Sequence, residues 1–374
     1  MSFLPFAKPD IDEDTIRGVS EVLRGGWIAS GPQVLKFEAA LGSYVRGRYV
    51  RVMTSATAAL EVALRAAGVG PGAEVIVPAM TFAASANVVL RAGATPVFVD
   101  VDLRSRNIDL EQMERAITPR TRALLPVHFA GLPVDMERLY AIASKHGLRV
   151  VEDAAHAIGS SYRGRPIGAF GDLVCFSFHP NKNMTTIEGG ALVADNAEEL
   201  TFIERERFHG IRRIDVERID VVQPGGKFNM SDVSARIGLG QLARLDEFIE
   251  RRRAIAASYF ECLRDVPGLL LPARGDEGHS WNMFAPLIDF ERLRLTRLDF
   301  IERMGAQKIG VSVHYPALHL LECYRRFGRG EGSLPNAERI GRETVTLPMF
   351  SSMTVTDVER VCATLQQVLR DHAK

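Results

Sequence analysis

The stretch Leu148-Arg149-Val150-Val151-Glu152-Asp153-Ala154-Ala155-His156-Ala157 decides the fold. A short apolar run, 148–151, reads as a buried strand that stops at an aspartate and a histidine. In open α/β sheets ligands gather at the carboxyl ends of strands, so Asp153 sits where a ligand can meet it. Runs of the same kind lie outward on both sides, at 49–53, 74–78, 96–100 and 123–127 before it and at 173–178 and 191–194 after it. Between them, 58–67, 83–91, 110–116 and 134–145 space their apolar residues three to four apart, as amphipathic helices do. This alternation predicts an α/β fold, a mostly parallel central sheet covered by helices on both faces.

Two short helical patterns, 13–23 and 34–44, precede the first strand and are separated by Gly25, Gly26, Gly31 and Pro32, as an arm leading onto a large domain would be. After Asn229 the texture changes: 232–259 reads as one long helix carrying the charged run 250–253, and the remainder mixes short strands with helices. The division expected is residues 1–245 for the arm and large domain and 246–374 for a smaller α+β domain. With 374 residues, 46% of them hydrophobic, the chain can bury a substantial core. Lys plus Arg and Asp plus Glu each total 46, so the balanced charge gives no reason to expect nucleic acid or an acidic membrane as a partner. Cys175, Cys262, Cys323 and Cys362 show no CxxC spacing, and no ligand cluster points to a metal. The first ten residues lack a signal-peptide pattern and no apolar run approaches about eighteen residues, so a cytoplasmic protein is expected.

Four segments can carry chemistry. Asp153 ends its strand, a position that taken alone is a turn or a helix cap. The segment 175–190, Cys-Phe-Ser-Phe-His-Pro-Asn-Lys-Asn-Met-Thr-Thr-Ile-Glu-Gly-Gly, ends a strand at Ser177, sets Lys182 in a polar loop and closes on a glycine pair that allows close backbone approach. A lone loop lysine is ordinarily just solvated. Together, however, a carboxylate able to keep a pyridine nitrogen protonated and a lysine able to form an imine are what pyridoxal 5′-phosphate (PLP) chemistry requires. Met53-Thr54-Ser55-Ala56-Thr57-Ala58 marks a strand-to-helix junction whose free N–H groups can hold a phosphate, or where Ser55 or Thr57 simply caps the helix. Phe82, after the strand 74–78, can lie against a cofactor ring or pack in the core.

With these segments in this order the chain resembles the DegT/DnrJ/EryC1/StrS family of sugar aminotransferases, among the fold type I (aspartate aminotransferase-like) PLP enzymes. The likeness includes Gly26-Trp27-Ile28, 71–78, the Ser-Phe-His-x-x-Lys and Glu-Gly-Gly motifs, Phe228-Asn229-Met230-Ser231-Asp232 and His314-Tyr315-Pro316-Ala317-Leu318-His319. The resemblance implies that Lys182 holds PLP as a Schiff base and shuttles the proton, and that Asp153 pairs with the ring nitrogen. It further implies that His156 lies near the ring's 3′ oxygen, that Ser177, Ala56 and Thr57 contact the phosphate, and that Phe82 stacks on the ring. Asn229 would reach the phosphate in a neighbouring subunit, which implies a homodimer with shared active sites. Lys8, Trp27, Arg212, His314 and His319 lie in segments that resemble the family's substrate-facing parts.

The activity implied is amino transfer from an amino acid, L-glutamate giving 2-oxoglutarate, to a nucleotide-linked keto sugar. Stretches such as Phe3-Leu4-Pro5-Phe6, 116–121 and 126–131 resemble the enzymes acting on UDP-4-keto sugars, including the UDP-4-amino-4-deoxy-L-arabinose branch. Phe82, where that branch resembles a tryptophan pattern, and 314–319 depart from it. Relatives that are sugar dehydratases carry histidine at the lysine position, against which Lys182 stands. A keto-cyclitol or other acceptor without a nucleotide stays open, and a regulatory protein without turnover predicts the loss of Lys182 or Asp153.

Overall fold

The computed structural model describes residues 2–276, 278–328 and 330–372. Its centre is a seven-stranded sheet. In chain order the strands are β1 (Tyr49–Met53), β2 (Glu74–Pro78), β3 (Thr95–Val99), β4 (Thr121–Leu124), β5 (Arg149–Asp153), β6 (Leu173–Ser177) and β7 (Gly190–Ala194). They lie side by side as β1-β7-β6-β5-β4-β2-β3. Only β7 runs against its neighbours; the other pairings are parallel. Strands β2, β6 and β7 are buried throughout, as both-faced cover requires. The α/β fold expected from the alternation is the fold observed.

Helices α1 (Glu13–Gly25) and α2 (Pro32–Tyr44) form the arm. Asp12 caps α1 by accepting from Thr15 N–H at 2.8 Å, and Gly26 ends it at φ 75°, a left-handed turn that glycine takes without steric cost. Helix α3 (Ala56–Ala66) follows β1, and α4 (Ala83–Arg91) follows β2. Their apolar faces pack against one side of the sheet in a cluster with Leu60, Val62, Val77, Val88 and Val151. Helices α5 (Leu110–Arg115) and α6 (Met136–His146) cover the other side, where Met113 and Leu139 meet Ile76 and Val150.

Two expectations about elements need correction. The pattern 123–127 gives a strand that pairs only as far as Leu124, and Val127 rejoins the sheet through a single bridge to Asp153. Helix α7 (Ala197–Arg207) comes before the pattern 232–259, which is itself two helices, α8 (Asp232–Ala243) and α9 (Leu245–Leu263). No glycine or proline marks the break. Arg244 leaves helical geometry at φ −106°, ψ 5°, and its guanidinium turns back to the Asp10 carboxylate at 3.2 Å and over the Phe248 ring.

From α9 onward a separate apolar cluster gathers Tyr259, Phe284 and Phe300 with Val361 and Leu365 of the last helix, Val355–Arg370. The chain's start joins it: Leu4 accepts from Gly310 N–H at 2.8 Å and donates to Lys308 O at 2.9 Å. Cys175 and Cys362 are buried, Cys262 is half-buried and Cys323 is exposed, all as free thiols. Among the described residues no helix is long and apolar enough to cross a membrane, and no group of three or more acidic, histidine or cysteine side chains is placed to hold a metal ion.

Candidate active site

Strands β1, β2, β5 and β6 end at one edge of the sheet, and a cavity of about 360 Å³ opens there, within the size range of small-molecule sites. Ser55, Ala56 and Thr57 line it from the end of β1, Thr81 and Phe82 from β2, Asp153 and His156 from β5, and Ser177 and Lys182 from β6. His314 and Tyr315 close it from the C-terminal part of the chain.

The start of α3 offers an anion site. Ser55 Oγ accepts from Ala58 N–H at 3.0 Å, and Ser55 O accepts from Ala59 N–H. The N–H groups of Ala56 and Thr57 precede the first helical bond and have no partner within the helix, at its positive end. Gly190 makes the arrangement possible. A Cβ there would lie 2.4 Å from the backbone N of Ala56 and 2.6 Å from Ser55 O, so only glycine lets β7 start against the first turn of α3. Gly190→Ala is expected to cost about 1–3 kcal/mol by overpacking, because backbone atoms cannot swing aside, and thermal unfolding of the cofactor-free protein measures it.

Asp153 is 4% exposed. Its Oδ2 accepts from Ser85 Oγ at 2.7 Å and its Oδ1 from Ala155 N–H at 3.1 Å. Burial pushes this carboxyl up from its ordinary range, while those two donors and the charges of Lys182 and His128 oppose the rise. Lys182 shows the converse. Burial pushes its amine down to about 8 from 10.5, against the opposing pull of Asp153. The loop that carries it is tied at several points: Lys182 N–H donates to His179 O at 2.9 Å, Thr186 N–H to Phe178 O at 3.0 Å and Asn282 Nδ2 to Asn181 O at 3.1 Å.

His156 accepts at Nδ1 from Ala130 N–H at 3.3 Å, which places its proton on Nε2, 3.4 Å from the Tyr315 hydroxyl. Burial, with Lys182 and His314 adding, holds it well below the ordinary histidine value. His314 bonds Thr346 Oγ1 through Nδ1 at 2.7 Å, and burial and Lys182 push it down to about 4. Phe82 is 57% exposed on the cavity side, its ring centroid 5.6 Å from that of Tyr315.

The cavity thus brings together Lys182, Asp153, His156, Ser177, Ala56, Thr57, Phe82 and His314, and within one chain it does not include Lys8, Trp27, Arg212, His319 or Asn229. Lys8 is exposed, and Trp27, 64% exposed, donates from its indole to Ser30 O at 3.2 Å. Arg212 lies on an exposed hairpin, strands Ile211–Arg213 and Ile219–Val221, paired with Asp220 at 2.9 Å. Asn229 donates to Ser30 Oγ at 2.6 Å and accepts from Lys227. His319, expected to face substrate, is instead enclosed, with Nε2 3.1 Å from the Glu338 carboxylate. Thr81, Ser85 and Tyr315 were not singled out by sequence. Tyr315 lies inside a quoted motif, but nothing local distinguishes Ser85 from other small residues of a helix.

A family profile described as the DegT/DnrJ/EryC1/StrS aminotransferase family matches residues 9–366. The chain belongs to this family. Spore coat polysaccharide biosynthesis protein SpsC of Bacillus subtilis is 39% identical over 98% of this chain and 97% of its own length. Spr1654 of Streptococcus pneumoniae, described as a sugar aminotransferase and solved in its PLP form, superposes over 100% of both chains with a TM-score of 0.93 at 33% identity. Helicobacter pylori PseC, an aminotransferase involved in the biosynthesis of pseudoaminic acid, superposes with a TM-score of 0.94 at 26% identity, over 99% of this chain and 100% of its own. As a member of the DegT/DnrJ/EryC1/StrS family the protein is a PLP-dependent sugar aminotransferase. The cavity fits that cofactor. It combines a helix start open to a phosphate, an aromatic face, a buried carboxylate and an amine of lowered basicity.

Proposed function

We propose that the enzyme transfers the amino group of L-glutamate to a nucleotide-linked keto sugar, a UDP-4-keto sugar in the first instance, giving an amino sugar and 2-oxoglutarate. The amino-transfer chemistry is supported by the enclosure of Lys182 and Asp153 in one cavity, an amine pushed down to about 8 together with a buried carboxylate; the glutamate donor and the nucleotide-linked acceptor rest on the resemblance of the sequence to the UDP-4-keto-sugar enzymes. When bound, PLP supplies an electron sink for the pair released as the donor's Cα–H bond breaks. Lys182 would hold the cofactor through Nζ and, once free, would take the proton from the donor Cα and return it. Asp153 would keep the ring nitrogen protonated. Ala56, Thr57 and Ser177 would hold the phosphate, Phe82 would offer its face to the ring and His156 would donate from Nε2. His314 presents a neutral ring to the substrate.

The homodimer belongs to the same reading. Asn229 does not line its own chain's cavity, and Leu23, Trp27, Ile28 and Leu35 leave an exposed apolar surface on the arm, as an interface between copies requires. Sedimentation of the purified protein tests this, with a monomer at micromolar concentration as the contrary result.

An absorbance spectrum of the loaded enzyme before and after L-glutamate tests the donor half-reaction. Conversion of the visible band to the shorter-wavelength amine form supports it, and a band that ignores glutamate removes glutamate as donor. A panel of UDP-linked, dTDP-linked and nucleotide-free keto sugars, offered to the amine form, then tests the acceptor: return of the visible band with the nucleotide-free ketones alone overturns the nucleotide-sugar assignment.

The Lys182 amine must be uncharged to attack the PLP aldehyde. With its titration lowered from 10.5 to about 8, about one amine in ten is free at pH 7, against about one in three thousand for an ordinary lysine. Because deprotonation creates the nucleophile, PLP capture by the apoprotein is expected to speed up as pH rises and to level off above about 8. Stopped-flow absorbance from pH 6 to 10 checks this; a rate still climbing tenfold per unit at pH 9.5 contradicts it.

A further inference from the structure

We propose that Ser85 is a positioning residue for the cofactor's ring nitrogen, its hydroxyl aligned by Thr81 and fixing the Asp153 carboxylate in the orientation that faces the ring. This rests on the reading that Asp153 pairs with that nitrogen. Ser85 is fully buried in the first turn of α4, and its Oγ lies 2.7 Å from Asp153 Oδ2 and 2.9 Å from Thr81 Oγ1. The proton positions along this chain follow from counting. A carboxylate only accepts, so the one Ser85 proton goes to Asp153. Ser85 must then accept from Thr81, whose hydroxyl is also buried. The result is a directed relay, Thr81 O–H to Ser85 O–H to Asp153 Oδ2, in which each bond polarises the next.

Several features mark this relay as aimed at the ligand. A serine in a helix's first turn ordinarily bonds backbone of its own helix; Ser85 instead spends its proton on β5. Asp153 Oδ1 is held separately by Ala155 N–H, so donors grip both carboxylate oxygens and the plane of the group is set before any ligand arrives. The first turn of α4 is itself anchored from the C-terminal part of the chain. The Tyr324 hydroxyl donates to Asn87 Oδ1 at 2.6 Å and lies 3.3 Å from Ala83 O. The same short segment carries Phe82, so one connection between β2 and α4 sets both the ring's face and the partner of its nitrogen.

The test uses the protein loaded with PLP labelled with ¹⁵N in the ring, comparing the parent, Ser85→Ala, Ser85→Thr, Thr81→Val and Asp153→Asn. In Ser85→Ala the ¹⁵N resonance is expected to move toward the neutral-pyridine position and PLP to bind about ten- to a hundredfold more weakly, the range implied by losing a hydrogen bond to a buried charged group. Ser85→Thr, which keeps the hydroxyl, restores the resonance. Thr81→Val moves it the same way by less, and serves as the second variant should Ser85→Ala fail to fold. A parent-like resonance and affinity in Ser85→Ala, or in Thr81→Val if that variant alone is folded, overturns the proposal provided Asp153→Asn shifts both. A parent-like resonance in Asp153→Asn as well removes the Asp153 reading itself, and the role of Ser85 with it.

Discussion

Replacing Lys182 with alanine is expected to lower transamination by about four orders of magnitude, the upper range for losing a positioned proton-transfer group, and to remove the visible absorption of the loaded protein. In the proposed mechanism both effects come from one side chain, Nζ being at once the covalent anchor and the base. The fold should not change. The loop around position 182 is held by backbone bonds from Lys182 N–H and Thr186 N–H and by the side chain of Asn282, none of which needs the amine. Burial is what chiefly keeps His156 and His314 neutral, and the Lys182 charge only adds to it, so both stay depressed in the variant. Single-turnover assays with an unchanged thermal midpoint check the prediction, and a variant retaining a tenth of parent activity would falsify the assignment of Lys182.

Asp153→Asn should lower turnover by about 10²–10³-fold, the usual effect of removing one preorganised electrostatic group. The amide keeps the shape of the carboxylate but carries no charge to hold a proton on the ring nitrogen, so the electron sink weakens while the cavity keeps its walls. Parent and variant titrate differently too. In the cofactor-free protein burial pushes the parent carboxyl up, so as pH falls it becomes protonated earlier than an exposed aspartate and offers the incoming ring no charge. PLP capture by the parent apoprotein should therefore fall on the acid side with a component that the asparagine variant, having nothing there to titrate, lacks. Pre-steady-state rates across the acid range separate the two; an equally steep acid limb in Asp153→Asn assigns the titration to another group.

The sheet was legible in the sequence because strands covered on both faces read as unbroken apolar runs, and β2, β6 and β7 are buried at every position. The break at Arg244 was not legible, since it depends on where Asp10 and Phe248 stand in three dimensions and the helical periodicity runs straight through it. Asp153 and Lys182 stood out only as a pair, a carboxylate ending a buried strand and a lysine able to form an imine, and through the family resemblance; alone, each reads as a cap or a solvated side chain. Ser85 and Tyr315 acquire their meaning only when α4 and the C-terminal segment fold onto β5. His319 shows the opposite limit, a histidine expected to face substrate whose partner, Glu338, encloses it.

Strand β1 touches no other strand of the sheet than β7, and β7 also delivers Gly190 to the start of α3. During synthesis this has an ordering consequence. The first strand made must wait, without any strand partner, until the last strand of the sheet has left the ribosome, and the phosphate-binding turn between β1 and α3 stays unbraced for as long. Cofactor capture is therefore a late event: PLP can reward a sheet already closed but cannot template its closure, and a nascent chain halted before Gly190 has no site to fill.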